Sequence, residues 1–216
     1  MLFGSSRRNR ICDAALIILP RPRFVVSNRR RSPFDNSPSV LTDDPPVLTA
    51  VVLGTTILCT ALHLVIPGLL PAVRRNPDAL AAGEWWRLVT PLFVQADSWW
   101  ATLTVFVGIA IVGVAVERLY GRRDWLLLYF GGGVVGELAG YAWQPNGSGA
   151  SVAGAGLLGG LCVWLLWRGK SLPLRVRIWG VVWLLVGVAL VALHDIHGPP
   201  LCFGACLGGL LLFLEN

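Results

Sequence analysis

Two residues of this chain have the chemical types and the positions to carry out hydrolysis. Ser151 opens an apolar segment within the small-residue run Gly149–Gly154, and His197 opens a later apolar segment. A serine hydroxyl becomes an effective nucleophile when a base within about 2.6–3.2 Å takes its proton. The pair therefore indicates acyl transfer at the mouths of two membrane helices. The alternative is structural: Ser151 hydrogen-bonds its own helix, and His197 is a polar residue at the membrane interface.

The composition indicates the kind of protein that holds this pair. Of the 216 residues, 55% are hydrophobic and 14% are charged, which is typical of an integral membrane protein. The net charge of +6 comes from short basic clusters between apolar runs, so no nucleic-acid-binding face is predicted. The five cysteines form no Cys-x-x-Cys pair, and Cys202 and Cys206 near His197 lack the further ligands of a zinc site. We therefore expect no disulfide framework, no metal and no cofactor.

The chain divides into a basic tail and a membrane domain. Residues 1–46 carry eight arginines interleaved with Ser, Asn and Pro, which is typical of a disordered segment. Residues 47–216 contain six apolar stretches, each near the roughly 20 residues that cross a hydrocarbon core. The stretches are 47–71, 98–116, 125–143, 150–167, 178–193 and 198–214. We predict six transmembrane helices; in the competing topology the short fifth and sixth stretches form a re-entrant pair.

The distribution of positive charge predicts the orientation of these spans. Lys and Arg collect in the cytoplasmic loops of membrane proteins. Of the 18 basic residues, all but Arg74, Arg75 and Arg87 fall in the tail, the second loop and the fourth loop. Both termini are therefore expected in the cytoplasm, with Ser151 and His197 in the outer leaflet.

Small residues within the spans indicate close helix packing. Glycines recur at spacings of four residues or fewer in the third, fourth and sixth spans, where they let helix backbones approach. They are Gly132, Gly136 and Gly140, then Gly156, Gly159 and Gly160, then Gly204 and Gly208. The pattern predicts an all-α membrane protein in which the fourth and sixth helices are able to lie side by side.

Four short motifs occur in order between about residues 84 and 214. They are Trp86-Arg87 in the first outer loop, Glu117-Arg118-Leu119-Tyr120-Gly121 after the second span, Gly149-Ala150-Ser151 at the fourth span, and a His-x-x-Gly-x-x-x-Gly-like pattern from His197 at the sixth. In order and position they resemble the rhomboid family of intramembrane serine proteases. The resemblance implies a six-transmembrane-helix, rhomboid-like bundle.

The histidine motif aligns with this chain in two registers. With His197 as the histidine, Pro200 replaces the first glycine and Gly204 matches the second. A register with Gly204 and Gly208 as the two glycines puts Leu201 at the histidine position and leaves too short a span after it. We therefore assign the histidine to His197.

The resemblance implies a Ser-His dyad without an acidic partner. Ser151 would attack the scissile carbonyl, and His197 would take and return the proton. Asp195, beside His197, could orient the imidazole as a third triad member, but it is left out of the dyad, because residues so close in sequence seldom face each other on one helix. The partners would be the lipid bilayer and single-span or other membrane proteins, cleaved in or near their transmembrane segments. The site would open outward from a bacterial cell membrane.

The oxyanion side of the site departs from the family pattern. Rhomboids carry a histidine and an asparagine near the second span that help to stabilise the oxyanion, and Gln95 stands near the first such position. The other nearby residues are Trp100 and Thr104 or Val105. We take Gln95 as the candidate side-chain donor, supported by backbone groups around Gly149 and Ala150. Because losing one donor typically lowers the rate about 100- to 1,000-fold, the alternative is a catalytically silent protein that binds transmembrane helices.

Two further readings concern polar residues within the spans. Glu137 lies well inside the third span, where a carboxylate is costly enough to suggest a function, and a role in capping or bridging helices is favoured. A small transporter fits less well, because the six spans show no clear internal repeat.

Overall fold

The computed structural model describes residues 45–215, which are largely helical. They contain nine α-helices and no β-strand. The helices are α1 (Val47–Val65), α2 (Leu69–Val73), α3 (Pro77–Ala81), α4 (Trp99–Tyr120), α5 (Arg122–Leu126), α6 (Gly132–Trp143), α7 (Ser151–Trp167), α8 (Leu174–Ala192) and α9 (Gly198–Leu214). Short 3₁₀ turns occupy Trp85–Leu88, Thr90–Phe93 and Gly169–Ser171, and a π-helical turn occupies Leu127–Gly131. The all-α fold class is confirmed, and the predicted tail over 1–46 lies outside the described residues except for its last two.

Each of the six predicted apolar stretches coincides with helical structure. The first helix ends at Val65 rather than at 71, because Pro67 and Gly68 follow and α2 starts separately. The third stretch is composite, since α5, the π-helical turn and α6 follow one another directly. By length and apolar composition, α1, α4 and α8 are each sufficient to cross a membrane, whereas α7 and α9 are shorter, with 17 residues each.

Helix α7 lies at the centre of this helical domain. It contacts α4, α6, α8 and α9, and its contact with α9 is the most extensive. Glycine permits this approach, because a side chain on Gly204 would overlap the carbonyl oxygen of Gly156 and one on Gly159 would overlap that of Leu201. The prediction that the fourth and sixth helices can lie side by side is confirmed. They run in parallel, so their first residues are neighbours.

The Glu-Arg-x-x-Gly motif joins α4 to its neighbours. The Glu117 carboxylate accepts hydrogen bonds from the backbone N–H groups of Leu48 (2.9 Å) and Thr49 (2.8 Å) and from the Thr49 hydroxyl (2.7 Å). These N–H groups lie in the first turn of α1, which has no side-chain cap of its own. Arg118 lies in the last turn of α4, and Gly121 ends the helix with a φ of 85°, which favours glycine. The motif therefore has a structural role.

The Trp-Arg motif lies in the segment between α1 and α4. The Arg87 side chain is buried and donates hydrogen bonds to the carbonyl oxygens of Pro71 (3.0 Å) and Arg74 (2.7 Å). It also forms an ion pair with Glu84 at 2.6 Å. Trp86, in contrast, is 55% exposed. Arg87 therefore fixes the path of this segment toward the site.

Candidate active site

Ser151 and His197 meet at the starts of α7 and α9. The Ser151 Oγ lies 2.9 Å from the His197 Nε2. Ser151 is the first residue of α7 and His197 immediately precedes α9, so the parallel packing of these helices brings the two side chains together. Both residues are partly exposed. At this distance an imidazole is able to take a proton from a hydroxyl.

Asp195 contacts the other nitrogen of the same imidazole. Its Oδ1 lies 2.7 Å from the His197 Nδ1 and accepts a hydrogen bond from the His197 backbone N–H at 2.9 Å. The expectation that Asp195 stays apart from the pair is therefore wrong. It assumed one helix, whereas residues 193–197 form a turn between α8 and α9. The missed signal is the preference of Asp for accepting a hydrogen bond from the N–H two residues ahead, as in an Asx turn.

The turn that carries Asp195 is held at both ends. The Asp195 N–H donates to the Leu190 carbonyl at 2.9 Å, and the Gly198 N–H donates to the Asp195 carbonyl at 3.2 Å. A side chain on Gly198 would overlap the backbone nitrogen of Val191, so glycine lets the start of α9 approach α8. These contacts fix the orientation of the carboxylate relative to His197.

The ionisation of Asp195 is set by its surroundings. Partial burial acts to raise the pKa of Asp195, but hydrogen bonds from the His197 backbone and ring, together with attraction to the imidazole, hold it below its ordinary value. The carboxylate is therefore ionised at neutral pH. It presents a negative charge to Nδ1, on the far side of the ring from Ser151.

Gln95 lies beside Ser151 and is buried, with 1% of its surface exposed. Its backbone N–H donates to the Thr60 hydroxyl at 3.0 Å, and its side-chain amide donates to the Asp97 carboxylate. A side chain on Gly149 would contact both the Ser151 Oγ (3.2 Å) and the Gln95 Oε1 (3.3 Å), so the two groups converge on one point. The Gln95 Oε1 has no hydrogen-bond partner within residues 45–215. Of the two hydrogens on the Gln95 Nε2, one is engaged by the Asp97 carboxylate.

The loop before α7 is anchored by the segment that precedes α4. The Gly149 N–H donates to the Pro91 carbonyl at 3.1 Å, so this N–H is already engaged within the protein. Ala150 is fully buried, and its carbonyl accepts a hydrogen bond from the Gly154 N–H at 3.0 Å. The N–H groups of the first α7 residues, beginning with Ser151, have no partner within the helix. They lie at the same end of α7 as the serine hydroxyl.

An apolar cavity of about 270 Å³ adjoins the pair. Its wall includes Ser151, His197, and apolar side chains from α4, α7 and α8. Among these are Val105, Ile109 and Val112 on α4, Leu158 on α7, and Trp183 and Leu190 on α8. The cavity offers space for an apolar chain next to the reactive groups.

Of the other residues near the family's donor positions, Val105 lines the cavity beside Ser151 and His197, whereas Trp100 and Thr104 do not. Trp100 is 80% exposed, and the Thr104 hydroxyl donates to the Trp100 carbonyl at 2.8 Å on the exposed side of α4. Cys202 and Cys206 on α9 are free thiols. Within residues 45–215, no three His, Cys, Asp or Glu side chains come together as a metal site.

Comparison with known proteins relates this chain to rhomboid proteins in each case. The family model of the Rhomboid domain matches residues 82–213, more than half of the chain. The chain is 42% identical over 91 residues to Rhomboid protease GluP of Bacillus subtilis, a match that covers 40% of this chain and 17% of GluP. It is 32% identical over 141 residues to Putative rhomboid protease YdcA of the same organism, covering 62% of this chain and 69% of YdcA. It is 38% identical over 78 residues to Rhomboid-like protease 3 of Toxoplasma gondii, covering 35% and 29% of the two chains.

Fold and site together define a helical membrane protein with a serine and a histidine at the starts of two packed helices. Within that class, this chain belongs to the rhomboid family. Its apolar helices and its family membership make it an integral membrane protein. The aligned stretches cover a minority of GluP and of Rhomboid-like protease 3 and about two thirds of YdcA.

Proposed function

We propose that this protein is an intramembrane serine protease that cleaves membrane proteins in or near their transmembrane segments. Ser151 is the nucleophile, and His197 is the general base and acid. The observation that carries this proposal is the 2.9 Å distance between the Ser151 Oγ and the His197 Nε2. Relatives that bear the name of rhomboid proteases support the same activity.

The proposed reaction has two stages. Ser151 Oγ attacks the scissile carbonyl carbon while the His197 Nε2 takes the hydroxyl proton. The C–N bond then breaks, His197 gives this proton to the leaving amine, and an ester joins Ser151 to the acyl part of the substrate. A water molecule attacks the ester, His197 takes its proton and returns it to Ser151, and the carboxylic acid product leaves.

The oxyanion of this reaction needs hydrogen-bond donors in fixed positions. We assign them to the backbone N–H groups at the start of α7 and to the Gln95 side-chain amide. A side chain on Gly149 would lie 3.3 Å from the Gln95 Oε1 and 3.6 Å from its Nε2, and Asp97 engages one of the two hydrogens on that nitrogen. Gly149 is not one of these donors, because its N–H is hydrogen-bonded to the Pro91 carbonyl. Its contribution is the absence of a side chain, which leaves open the space between the Ser151 Oγ and the Gln95 amide. Ala150 supports it by joining this loop to α7.

The apolar cavity between α4 and α8 is the proposed substrate site. Its wall combines Ser151 and His197 with apolar side chains, which suits an extended apolar segment that enters from the bilayer. Water would reach the pair from the outer side, since polar groups at membrane depth are tolerated where they line a hydrated cavity.

We propose a six-span topology with both termini in the cytoplasm. The spans are α1, α4, the composite of α5 and α6, α7, α8 and α9. At 1.5 Å per residue, α7 is about 25 Å long, less than the roughly 30 Å of a hydrocarbon core. A central helix of this length begins below the outer surface, which is where Ser151 and His197 are needed for cleavage within the membrane.

Cleavage of a reporter membrane protein in bacterial membranes tests the proposal. Ser151→Ala and His197→Ala should each reduce cleavage by about 1,000-fold or more. The matched controls are Ser171→Ala, at an exposed serine after α7, and His63→Ala in α1, and both should cleave like the wild type. Equal cleavage by all of these variants would refute the assignment.

A second function is a catalytically silent protein that binds transmembrane helices of partners. The observation that favours it is that the Gly149 N–H and one amide hydrogen of Gln95 are both engaged by the protein itself. A serine-directed fluorophosphonate probe separates the two functions. Labelling of the wild type that is lost in Ser151→Ala would exclude the silent protein, and no labelling of the wild type would favour it.

A further inference from the structure

We propose that Asp195 is a positioning residue that completes a Ser-His-Asp triad in this chain. This inference rests on the proposed function and goes beyond the dyad that the family resemblance implies. The carboxylate, the imidazole and the hydroxyl follow one another at 2.7 Å (Asp195 Oδ1 to His197 Nδ1) and 2.9 Å (His197 Nε2 to Ser151 Oγ).

The contact with Asp195 selects the tautomer that the reaction needs. An ionised carboxylate accepts hydrogen bonds and donates none, so the Nδ1 of His197 carries the hydrogen in this contact. A neutral imidazole with hydrogen on Nδ1 has its lone pair on Nε2, which faces Ser151. Without the carboxylate, either nitrogen is free to carry the hydrogen, and one of the two tautomers cannot accept the serine proton.

Asp195 also acts on the charged state of His197. When His197 takes the Ser151 proton it becomes a cation, and the adjacent negative charge stabilises this cation while Asp195 itself stays unprotonated. The Asp195 and His197 side chains are 36% and 38% exposed, so solvent weakens the effect relative to a buried triad. We therefore expect kcat to fall about 10- to 100-fold when the charge is removed. This is less than the roughly 10,000-fold fall in serine proteases whose triad aspartate is buried.

A purely structural role for Asp195 is the competing explanation. Its Oδ1 also accepts the His197 backbone N–H at 2.9 Å, and this bond alone would shape the turn. An asparagine side chain retains such an acceptor and favours the same turn, but it carries no charge. Asp195→Asn therefore separates the two roles, whereas Asp195→Ala removes both.

The first test measures the rate of fluorophosphonate labelling and the kcat and KM of reporter cleavage for the full chain. Asp195→Asn should lower the labelling rate and kcat about 10- to 100-fold, with KM close to wild type and a thermal midpoint that falls less than in Asp195→Ala. Asp195→Ala should lose at least as much activity and a part of the stability. Asp78→Asn, at an exposed aspartate of α3, is the matched control. Labelling and kcat of Asp195→Asn at wild-type values would overturn the triad.

The second test is independent of activity. Nitrogen NMR spectra of protein with ¹⁵N-labelled histidine report which ring nitrogen carries hydrogen, and His197→Ala identifies the His197 signals among the three histidines. In the neutral wild type the hydrogen should be on Nδ1, and in Asp195→Ala, which removes the Oδ1 acceptor, it should shift toward Nε2. The same tautomer in both proteins would overturn the triad. A chain that neither labels nor cleaves would refute the proposed protease, while these spectra still decide the role of Asp195.

Discussion

Arg75 and Glu137 form an ion pair inside the protein, with 2.9 Å between Nη1 and Oε1 and side chains that are 2% and 0% exposed. Glu137 lies on α6, and Arg75 lies between α2 and α3, where its backbone N–H donates to the Gly147 carbonyl at 2.8 Å. A side chain on Gly140 would press against the Arg75 guanidinium. The absence of a side chain at Gly140 therefore makes room for the Arg75 side chain, and not for the close approach of another helix. The pair ties the segment before α4 to α6, a bridging role of the kind favoured for Glu137.

Breaking this ion pair should destabilise the protein strongly. Glu137→Gln leaves the Arg75 guanidinium buried without a compensating charge, which typically lowers the free energy of unfolding by about 3–5 kcal/mol. Thermal unfolding in detergent should show a clear drop in the midpoint. Glu84→Gln, which breaks the partly exposed pair with Arg87, should lower stability less, by about 1 kcal/mol. A Glu137→Gln variant as stable as the wild type would contradict this assignment.

The glycine contact between α7 and α9 should control both stability and the site. Gly204→Ala places a methyl group against the Gly156 carbonyl, so the helices must move apart, at a cost of about 1–3 kcal/mol. The same movement separates Ser151 from His197, and fluorophosphonate labelling should fall with the thermal midpoint. Gly54→Ala on α1 is the control, because nothing lies within 4 Å of the added group. It should be neutral or stabilising, and an equal loss in both variants would argue against the packing explanation.

The helices and the Ser151–His197 pair could be predicted because they depend on two regular features of the sequence, the apolar stretches and the spacing of small residues within them. Apolar stretches of sufficient length specify the helices, and small residues on the fourth and sixth of them specify which two pack closely. Once α7 and α9 are parallel neighbours, residues at their starts must be close. The pairing of Ser151 with His197 follows from position, without knowledge of any side-chain conformation.

The surroundings of the pair were less predictable because they depend on irregular backbone. Asp195 was misjudged because a turn, with His194 at a φ of 56°, replaces the helix on which the prediction relied. Gly140 belongs to a glycine row typical of helix packing, yet it faces the buried Arg75. Gln95 lies in an irregular stretch before α4, so the sequence placed it near the site but did not reveal that Asp97 engages its amide.

Replacing Gln95 should test the oxyanion side of the site. Gln95→Leu removes the amide donor, and kcat for reporter cleavage should fall about 100-fold with a small change in KM. Gln95→Glu should lose more, because it puts a negative charge where negative charge develops. The thermal midpoint is measured alongside, since Gln95 also contacts Asp97. Gln144→Leu, at an exposed glutamine, is the matched control. An unchanged kcat in Gln95→Leu would remove this residue from the proposed oxyanion site.

The contact between Asp195 and His197 should make stability depend on pH in the acid range. Because the pKa of Asp195 in the folded protein lies below its ordinary value of 3.8, the folded state binds this proton less readily than the unfolded state does. The stabilisation by the ionised Asp195 carboxylate is therefore present when the pH is above the ordinary pKa of 3.8, and it is lost as the pH falls through the lowered pKa of the folded protein. The difference in thermal midpoint between wild type and Asp195→Ala should shrink as the pH falls from about 5 to about 3. Ser171→Ala, which removes no titratable group, should follow the wild type throughout. A wild-type advantage over Asp195→Ala that stays constant down to pH about 3 would show that the carboxylate charge adds nothing to the fold.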